Sequence, residues 1–438
     1  MFLTRGGGPH SNKSTGPVGC ILATCCVALL YAQHATAQAA QAATLLTLAE
    51  AEDLALRHEP GLSALQAKAD AFEAQAVSAG QLPDPELRIG LANFPIESGG
   101  FTTEGMTQGV LGIRQVFPPG ESRSLSKQKL QSLSAEMDRN AAARARDVLT
   151  SVRRAWLDAY YWERAHAIVS NSRPYFEDLV TVTRSLYGVG RKDQQDVLRA
   201  ELELSRLDDR LIQIERQQRA ARAALSQWIG PESTRSIASK LPVWGELPSL
   251  HTLTDELTRH PAVLAAEANI DARIAGVHLA EERNKPGWAV DLGYGYRDGF
   301  MPDGSPRSDF VSLSVTVELP FFRKNRQDRE LGAALSERRA AKDSREALLR
   351  NLASQLEAEF ARCEELTRRI ELHEQRILIQ AEDQSNSALA AYRSEAGDFA
   401  DVMRGVIDKL NAQLDIARLQ TERAQSFAVL ANLGGISR

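Results

Sequence analysis

The stretch GQLPDPELRIGLANFP, residues 80–95, decides the fold because it interrupts a chain that otherwise consists of long helical patterns. A polar, alanine-rich helical pattern ends at Gly80, and two prolines follow it. From Leu87 to Leu91 every second residue is apolar and its neighbours are small or polar, which is typical of a short β-strand. A second stretch, NKPGWAVDLGYGYR at 284–297, repeats this pattern about two hundred residues later.

Landmark residues recur at a nearly fixed offset, which indicates an internal duplication. Pro60 precedes Pro261 by 201 positions, and Asp196 precedes Asp401 by 205. Such a slow drift fits a structural repeat with small insertions. The predicted organisation is a signal peptide at 1–37, a first repeat at 38–230, a linker at 231–250 and a second repeat at 251–438.

Each repeat is predicted to run helix, strand, strand, long helix, helix. The strands are expected at 86–94, 108–117, 288–297 and 310–319. The helices are expected at 48–81 with a break near Pro60, 121–186, 194–228, 252–285, 325–392 and 399–432. A helix of about 68 residues is about 100 Å long, so the longest ones must form coiled coils or span a compartment. Apolar residues spaced three and four apart from Val197 to Trp228 indicate a coiled coil. An ordinary amphipathic helix would explain that stripe but not the length.

One face of each predicted strand is apolar and the other is small or polar. From Val311 to Leu319 every second residue is apolar, and the intervening residues are Ser, Ser, Thr and Glu. About ten residues with this alternation suit a transmembrane β-strand. Four strands cannot close a barrel, and an open edge cannot lie in lipid. We therefore expect other copies to pair with the edges, and a trimer would give a transmembrane barrel of twelve strands.

The first 37 residues have the pattern of an export signal. Arg5 and Lys13 precede an apolar run at 18–32, and a small-x-small cleavage site follows at 35–37. One alternative is an uncleaved anchor, for which the apolar run is short. Another is a lipoprotein with Cys25 as the lipidated residue. After cleavage Cys363 would be the only cysteine, so we expect no intramolecular disulfide.

No motif for catalysis or metal binding occurs in the sequence. The eight histidines and four cysteines form no HExxH and no pair with metal-ligand spacing, and the chain lacks a P-loop, GxGxxG and GxSxG. We therefore predict no enzyme activity, no cofactor and no metal centre. The net charge of −5 gives no reason to expect a nucleic acid partner.

Candidate functional residues lie near the predicted turn between each long helix and its return helix. The aspartates there are Asp193, Asp196, Asp398 and Asp401, and the turn glycines are Gly188, Gly190 and Gly397. In a tube built from three copies, rings of carboxylates would favour cations at the mouth. The alternative is that these aspartates only begin helices and suit the helix dipole. By strand parity, the candidates for the barrel lumen are Arg88, Arg114, Asp291, Arg297 and Glu318.

A family resemblance rests on the duplicated element order and three stretches. These are QLPDPELRIGLANFP (81–95), YGVGRKDQQDVLRAELEL (187–204) and YRSEAGDFADVMRGVIDKL (392–410). Together they resemble the TolC-like outer-membrane efflux family over nearly all of the mature chain. The first stretch is most similar to the branch that serves heavy-metal pumps of the resistance–nodulation–division class.

The resemblance implies a mixed α/β membrane protein that is a homotrimer in the Gram-negative outer membrane. Four strands per chain would form a 12-stranded barrel in lipid, continued by a long periplasmic α-helical coiled-coil barrel. A periplasmic adaptor protein and an inner-membrane, proton-driven pump would load it. Asp401 matches the first of two aspartates that narrow the family's tunnel entrance. Arg404 stands at the second position, which implies a mixed or salt-bridged constriction.

Tyr392 matches a family tyrosine whose hydrogen bond helps to hold the entrance shut, although it could equally be a packed aromatic at a helix end. The sequence thus predicts a passive exit duct for heavy-metal cations or small toxic compounds. One alternative is the outer-membrane duct of a type I protein secretion system. The other is a periplasmic coiled-coil adaptor without a pore, which would not need paired amphipathic strands.

Overall fold

The computed structural model describes residues 45–434, which form a bundle of long helices with a four-stranded sheet where two of those helices begin. The helices are α1 (Leu48–His58), α2 (Pro60–Ala79), α3 (Ser122–Gly188), α4 (Gln194–Ile229), α5 (Leu250–Glu256), α6 (Pro261–Glu282), α7 (Gln327–Leu372), α8 (Leu378–Arg393) and α9 (Phe399–Gly434). The strands are β1 (Glu86–Ala92), β2 (Gln108–Phe117), β3 (Trp288–Tyr296) and β4 (Phe310–Val317). Signal peptide and lipidation site lie outside the described residues.

Prolines set the breaks between the short helices. Pro60 begins α2 and Pro261 begins α6. The N–H of a first helical residue has no acceptor within the helix, so a proline at this position loses no hydrogen bond. The break predicted near Pro60 is confirmed. The single helix predicted at 252–285 is wrong, because this stretch is divided into α5, a 3₁₀ turn and α6. No described helix is long and apolar enough to cross a membrane.

The two longest helical stretches each carry one irregularity. Helix α3 runs for 67 residues with Pro174 inside it, and proline removes one backbone hydrogen bond there. The stretch predicted as one helix at 325–392 is instead α7 and α8 joined by a π turn at His373–Ile377. This turn follows Pro174 by about the repeat offset, so both long helices are irregular at corresponding levels.

The sheet is antiparallel in the order β1-β2-β3-β4, so the two strand pairs meet along β2 and β3. Its register places Leu87 opposite Ile113, Ile113 opposite Leu292, and Leu292 opposite Leu313. This row belongs to an apolar face that no described residue covers, and Leu313 is 71% exposed. In the described chain the outer edges of β1 and β4 have no partner strand.

The linker after α4 packs back onto the start of the described chain. Leu46 bridges to Ile237, and the indole of Trp156 on α3 donates to the Leu46 carbonyl at 3.1 Å. Arg235 pairs with Glu50 at 2.7 Å. These contacts cover a buried cluster at mid-length of the bundle.

Candidate functional site

The turns that follow α3 and α8 have the same hydrogen-bond pattern. In the first, the amides of Gly190 and Arg191 donate to carbonyls three and five residues earlier, at 2.9 and 3.0 Å. In the second, the amides of Glu395 and Ala396 do the same at 3.2 and 2.9 Å. Because the two sets are 205 residues apart, the turns correspond in the two halves of the chain. Each closes its helix with one left-handed residue.

The glycines predicted to mark these turns have different roles. Gly190 is the left-handed residue of the first turn, with φ 74°, but Glu395 takes that position in the second, with φ 64°. Gly397 is needed for a close approach, because a β-carbon there would lie 2.9 Å from the Ala391 side chain. At Gly188 the φ angle is not positive and a β-carbon would meet no atom within 4 Å, so this position does not require glycine.

Tyr392 and Asp196 meet where the two turns lie side by side. The Tyr392 hydroxyl donates to Asp196 at 3.1 Å, and its ring lies 5.3 Å from the Phe399 ring. Tyr392 is only 1% exposed. Burial and the nearby Asp196 carboxylate both disfavour the phenolate, so they raise the pKa of Tyr392 and keep its hydroxyl a donor.

The other aspartates predicted at the entrance divide into two kinds. Asp398 precedes α9, and its carboxylate accepts from the Ala400 amide at 3.0 Å, which is a helix-start role. Asp193 precedes α4, and its side chain makes no capping bond there. Asp401 pairs with Arg404 at 3.1 Å, and both side chains are mostly exposed. The ion pair expected from the resemblance is therefore present within one copy, while the constriction stays a prediction.

Three contacting residues of this site had no separate signal in the sequence. Lys192 donates to the Gly397 carbonyl at 3.3 Å, and its ammonium lies 4.5 Å from the centre of the Tyr392 ring. Arg191 lies 3.6 Å from Glu395. The only signal is a weak charge pattern, with two basic residues in one turn and an acidic residue in the other. This pattern can be recognised only once the two turns are known to lie side by side.

Three of the five lumen candidates lie on the sheet face opposite the apolar one. Arg114 is opposite Asp291 in the register, and Arg88 reaches Asp291 at 3.8 Å across Gly112, which has no side chain in the way. Arg297 follows β3 and donates to the Ser308 carbonyl, so it stabilises the loop between β3 and β4. Glu318, the fifth candidate, follows β4 and is exposed.

Between residues 45 and 434 no group of three His, Cys, Asp or Glu residues is placed to hold a metal ion. The arrangement instead offers a charged sheet face, an apolar sheet face and a pair of closed turns. These features suit the passage of solutes better than the catalysis of a chemical reaction.

Comparisons with known proteins agree with this architecture. Residues 252–435 match the model of a family described as outer membrane efflux protein. Over 421 residues the chain is 27% identical to Protein CyaE of Bordetella pertussis, with 90% of this chain and 85% of that one covered.

Two solved structures show the same fold. VceC, an outer membrane protein of Vibrio cholerae, superposes with a TM-score of 0.74 at 18% identity, covering 88% of this chain and 96% of that one. The open state of MtrE, an outer membrane channel of Neisseria gonorrhoeae, gives 0.70 at 16% identity, with 89% and 88% covered.

Proposed function

We propose that this chain, whose residues 252–435 belong to the outer membrane efflux protein family, is the outer-membrane exit duct of a tripartite efflux system. The family match confirms the resemblance expected from the sequence, and since the family is one of efflux proteins, the chain is not an enzyme. The observation that carries the proposal is the sheet, which has an uncovered apolar face and two unpaired edges.

The apolar face has the layout of a lipid-facing band. Trp288 stacks on Phe117 at the end nearest the helices, and Tyr294 and Tyr296 lie at the end nearest the loops. Strand β3 spans about 20–26 Å from Trp288 to the two tyrosines at ~3.3 Å per residue. Outer-membrane barrels carry an apolar band about 25 Å tall between two aromatic girdles. A lipid bilayer is therefore the environment that fits this face.

The unpaired edges support a homotrimer. Edge strand β4 of one copy can pair with β1 of the next, and three copies would close twelve strands. Helices α4 and α7 also carry exposed apolar residues. Helix α4 packs on α3 while α7 packs on α6 and α9, so α4 and α7 are not neighbours within the described chain. Leu202 on α4 and Leu372 on α7 are exposed on these helices, where the next copy would cover them.

In such a trimer the charged sheet face would line a water-filled lumen, with Arg88, Arg114 and Asp291 in it. The turns after α3 and α8 would form the periplasmic entrance, with Asp401 and Arg404 at its constriction. A periplasmic adaptor would open it, and an inner-membrane pump would supply the cargo. The LPDP stretch favours heavy-metal cations as that cargo.

Single-channel conductance of the purified protein in a planar bilayer tests the proposal. We expect small, cation-preferring currents from a preparation that runs as a trimer. A folded, trimer-sized preparation that never conducts would favour the pore-free adaptor instead. Deleting the gene distinguishes cargoes, because sensitivity to cobalt, zinc or cadmium supports metal export, whereas loss of a polypeptide from the medium supports a secretion duct.

A further inference from the structure

Lys192 joins the two turns at the proposed entrance. It belongs to neither helix, because α3 ends at Gly188 and α4 begins at Gln194. Both of its described contacts go to the other turn, one to the Gly397 carbonyl at 3.3 Å and one to the Tyr392 ring at 4.5 Å. A side chain that stabilised only its own turn would not have this set of contacts.

The burial of Lys192 makes its contacts stronger than those of its neighbour. Arg191 and Glu395 are 65% and 56% exposed and 3.6 Å apart, and pairs of that kind contribute little. Lys192 is half-buried against the aromatic face of Tyr392, which is itself 1% exposed. An ammonium that is partly desolvated over an aromatic ring interacts more strongly than an exposed one.

Tyr392 is therefore held twice by the segment that ends the first turn and begins α4. Its hydroxyl donates to Asp196 while its ring face receives the Lys192 ammonium. Separating the turns would break both contacts and the bond to the Gly397 carbonyl in one movement. Because Tyr392 takes part in two of these three contacts and Lys192 also in two, the contacts are linked and are expected to act as a unit.

We propose that Lys192 is a positioning residue that latches the two turns of each copy together and keeps the entrance of the duct closed. The inference rests on the proposed function, since a latch matters only where there is an entrance to close. The adaptor would then have to part Lys192 from Tyr392 in each copy before the turns could spread. Lys192 acts through Tyr392 and does not contact the cargo.

The test compares two variants that each remove one positive charge from the same turn. Lys192→Met keeps the length of the side chain and loses both contacts, whereas Arg191→Met loses only the exposed pair. In planar bilayers we expect Lys192→Met to raise the open fraction of the full-length trimer about tenfold, since three latches are lost at once. Arg191→Met should stay near the wild-type value, and Lys192→Arg should restore most of the closure.

Repeating Lys192→Met in a Tyr392→Leu variant shows whether the effect of Lys192 on the open fraction depends on the Tyr392 ring. In Tyr392→Leu the entrance already lacks the aromatic face, so adding Lys192→Met should change the open fraction less than it does in wild type. Trimer mobility and thermal unfolding of Lys192→Met should match wild type, which separates latching from folding.

The latch is wrong if the wild-type trimer conducts and Lys192→Met is indistinguishable from it. It is also wrong if Arg191→Met opens the channel equally, because that would be an effect of charge at the tip. If neither wild type nor any variant conducts as a trimer, the proposed duct fails and the latch fails with it.

Discussion

Asp401 and Arg404 carry opposite charges, so if they lie at the proposed entrance its ion selectivity depends on the balance between them. Their side chains are 3.1 Å apart and mostly exposed. An exposed pair of this kind adds little to stability, but it neutralises part of the field that a ring of aspartates would create. In the proposed entrance, the charge that a passing ion meets would therefore be set by both residues.

Substitutions at this pair should shift selectivity in opposite directions. Asp401→Ala would leave three unneutralised Arg404 guanidinium groups and should lower the preference for cations, whereas Arg404→Ala should raise it. The reversal potential in a salt gradient across a planar bilayer measures both. Equal reversal potentials for the two variants would place the pair away from the conducting path.

Glu50 gives the linker contact a dependence on pH. The hydrogen bond from Arg235 lowers the pKa of Glu50 below its ordinary value. The folded state therefore gains stability from this carboxylate above pH 4.5, and loses it as the pH falls through the lowered pKa. Glu50→Gln should cost about 0.5–1 kcal/mol at pH 7 and less at pH 3. Urea unfolding followed by tryptophan fluorescence measures this.

The control for that change is Glu246→Gln, which removes an exposed linker carboxylate with no described partner. We expect no difference from wild type at either pH. A loss of stability from Glu50→Gln that persists unchanged in acid would mean that packing, rather than the ion pair, is responsible.

At the scale of the element, the two corresponding turns differ in how they accommodate a left-handed residue. Gly190 adopts φ 74° without a β-carbon, whereas Glu395 adopts φ 64° with one. That conformation costs a non-glycine residue roughly 1–2 kcal/mol. The second turn therefore carries strain that the first does not.

Opposite effects on stability are expected from the two reciprocal substitutions. Glu395→Gly should raise the unfolding free energy by up to about 1 kcal/mol, because the gain exceeds the loss of its exposed pair with Arg191. Gly190→Ala should lower it by a similar amount, although there is space for the β-carbon. Denaturant midpoints at constant slope measure both, and a destabilised Glu395→Gly would show that the ion pair matters more than the backbone.

The long helices and the strands could be predicted because apolar periodicity is repeated over many residues. Strand β2 has the predicted bounds, and α4 ends one residue beyond its predicted end. The π turn at His373–Ile377 could not be predicted, since no residue type there marks an inserted residue. Lys192 and Glu395 were missed for another reason. Their roles depend on two turns that are 205 positions apart in the chain and adjacent in space.

At the scale of the whole molecule, the apolar sheet face and the charged sheet face should respond differently to the same substitution. Ile89 lies on the apolar face and is 75% exposed, and Ser312 lies on the opposite face. A lysine that faces lipid costs about 2–4 kcal/mol near the middle of the membrane. A lysine that faces a water-filled lumen costs little.

We therefore expect Ile89→Lys to reduce the amount of trimer recovered from the outer membrane, and Ser312→Lys to leave that amount unchanged while altering conductance. Membrane fractionation followed by gel electrophoresis without heating measures the first effect, and a planar bilayer measures the second. Similar trimer yields for both variants would argue against lipid on the Ile89 face.

The two unpaired edges of the sheet have a genetic consequence. If each edge strand is completed by a neighbouring copy, as proposed, a chain that lacks its β1–β2 hairpin would interrupt any ring it entered. If such a chain still assembled through its helices and were made in equal amount with wild type, about one trimer in eight would be intact. The defective allele should then be dominant, and a merodiploid cell should be nearly as sensitive to the exported compound as a cell without the gene.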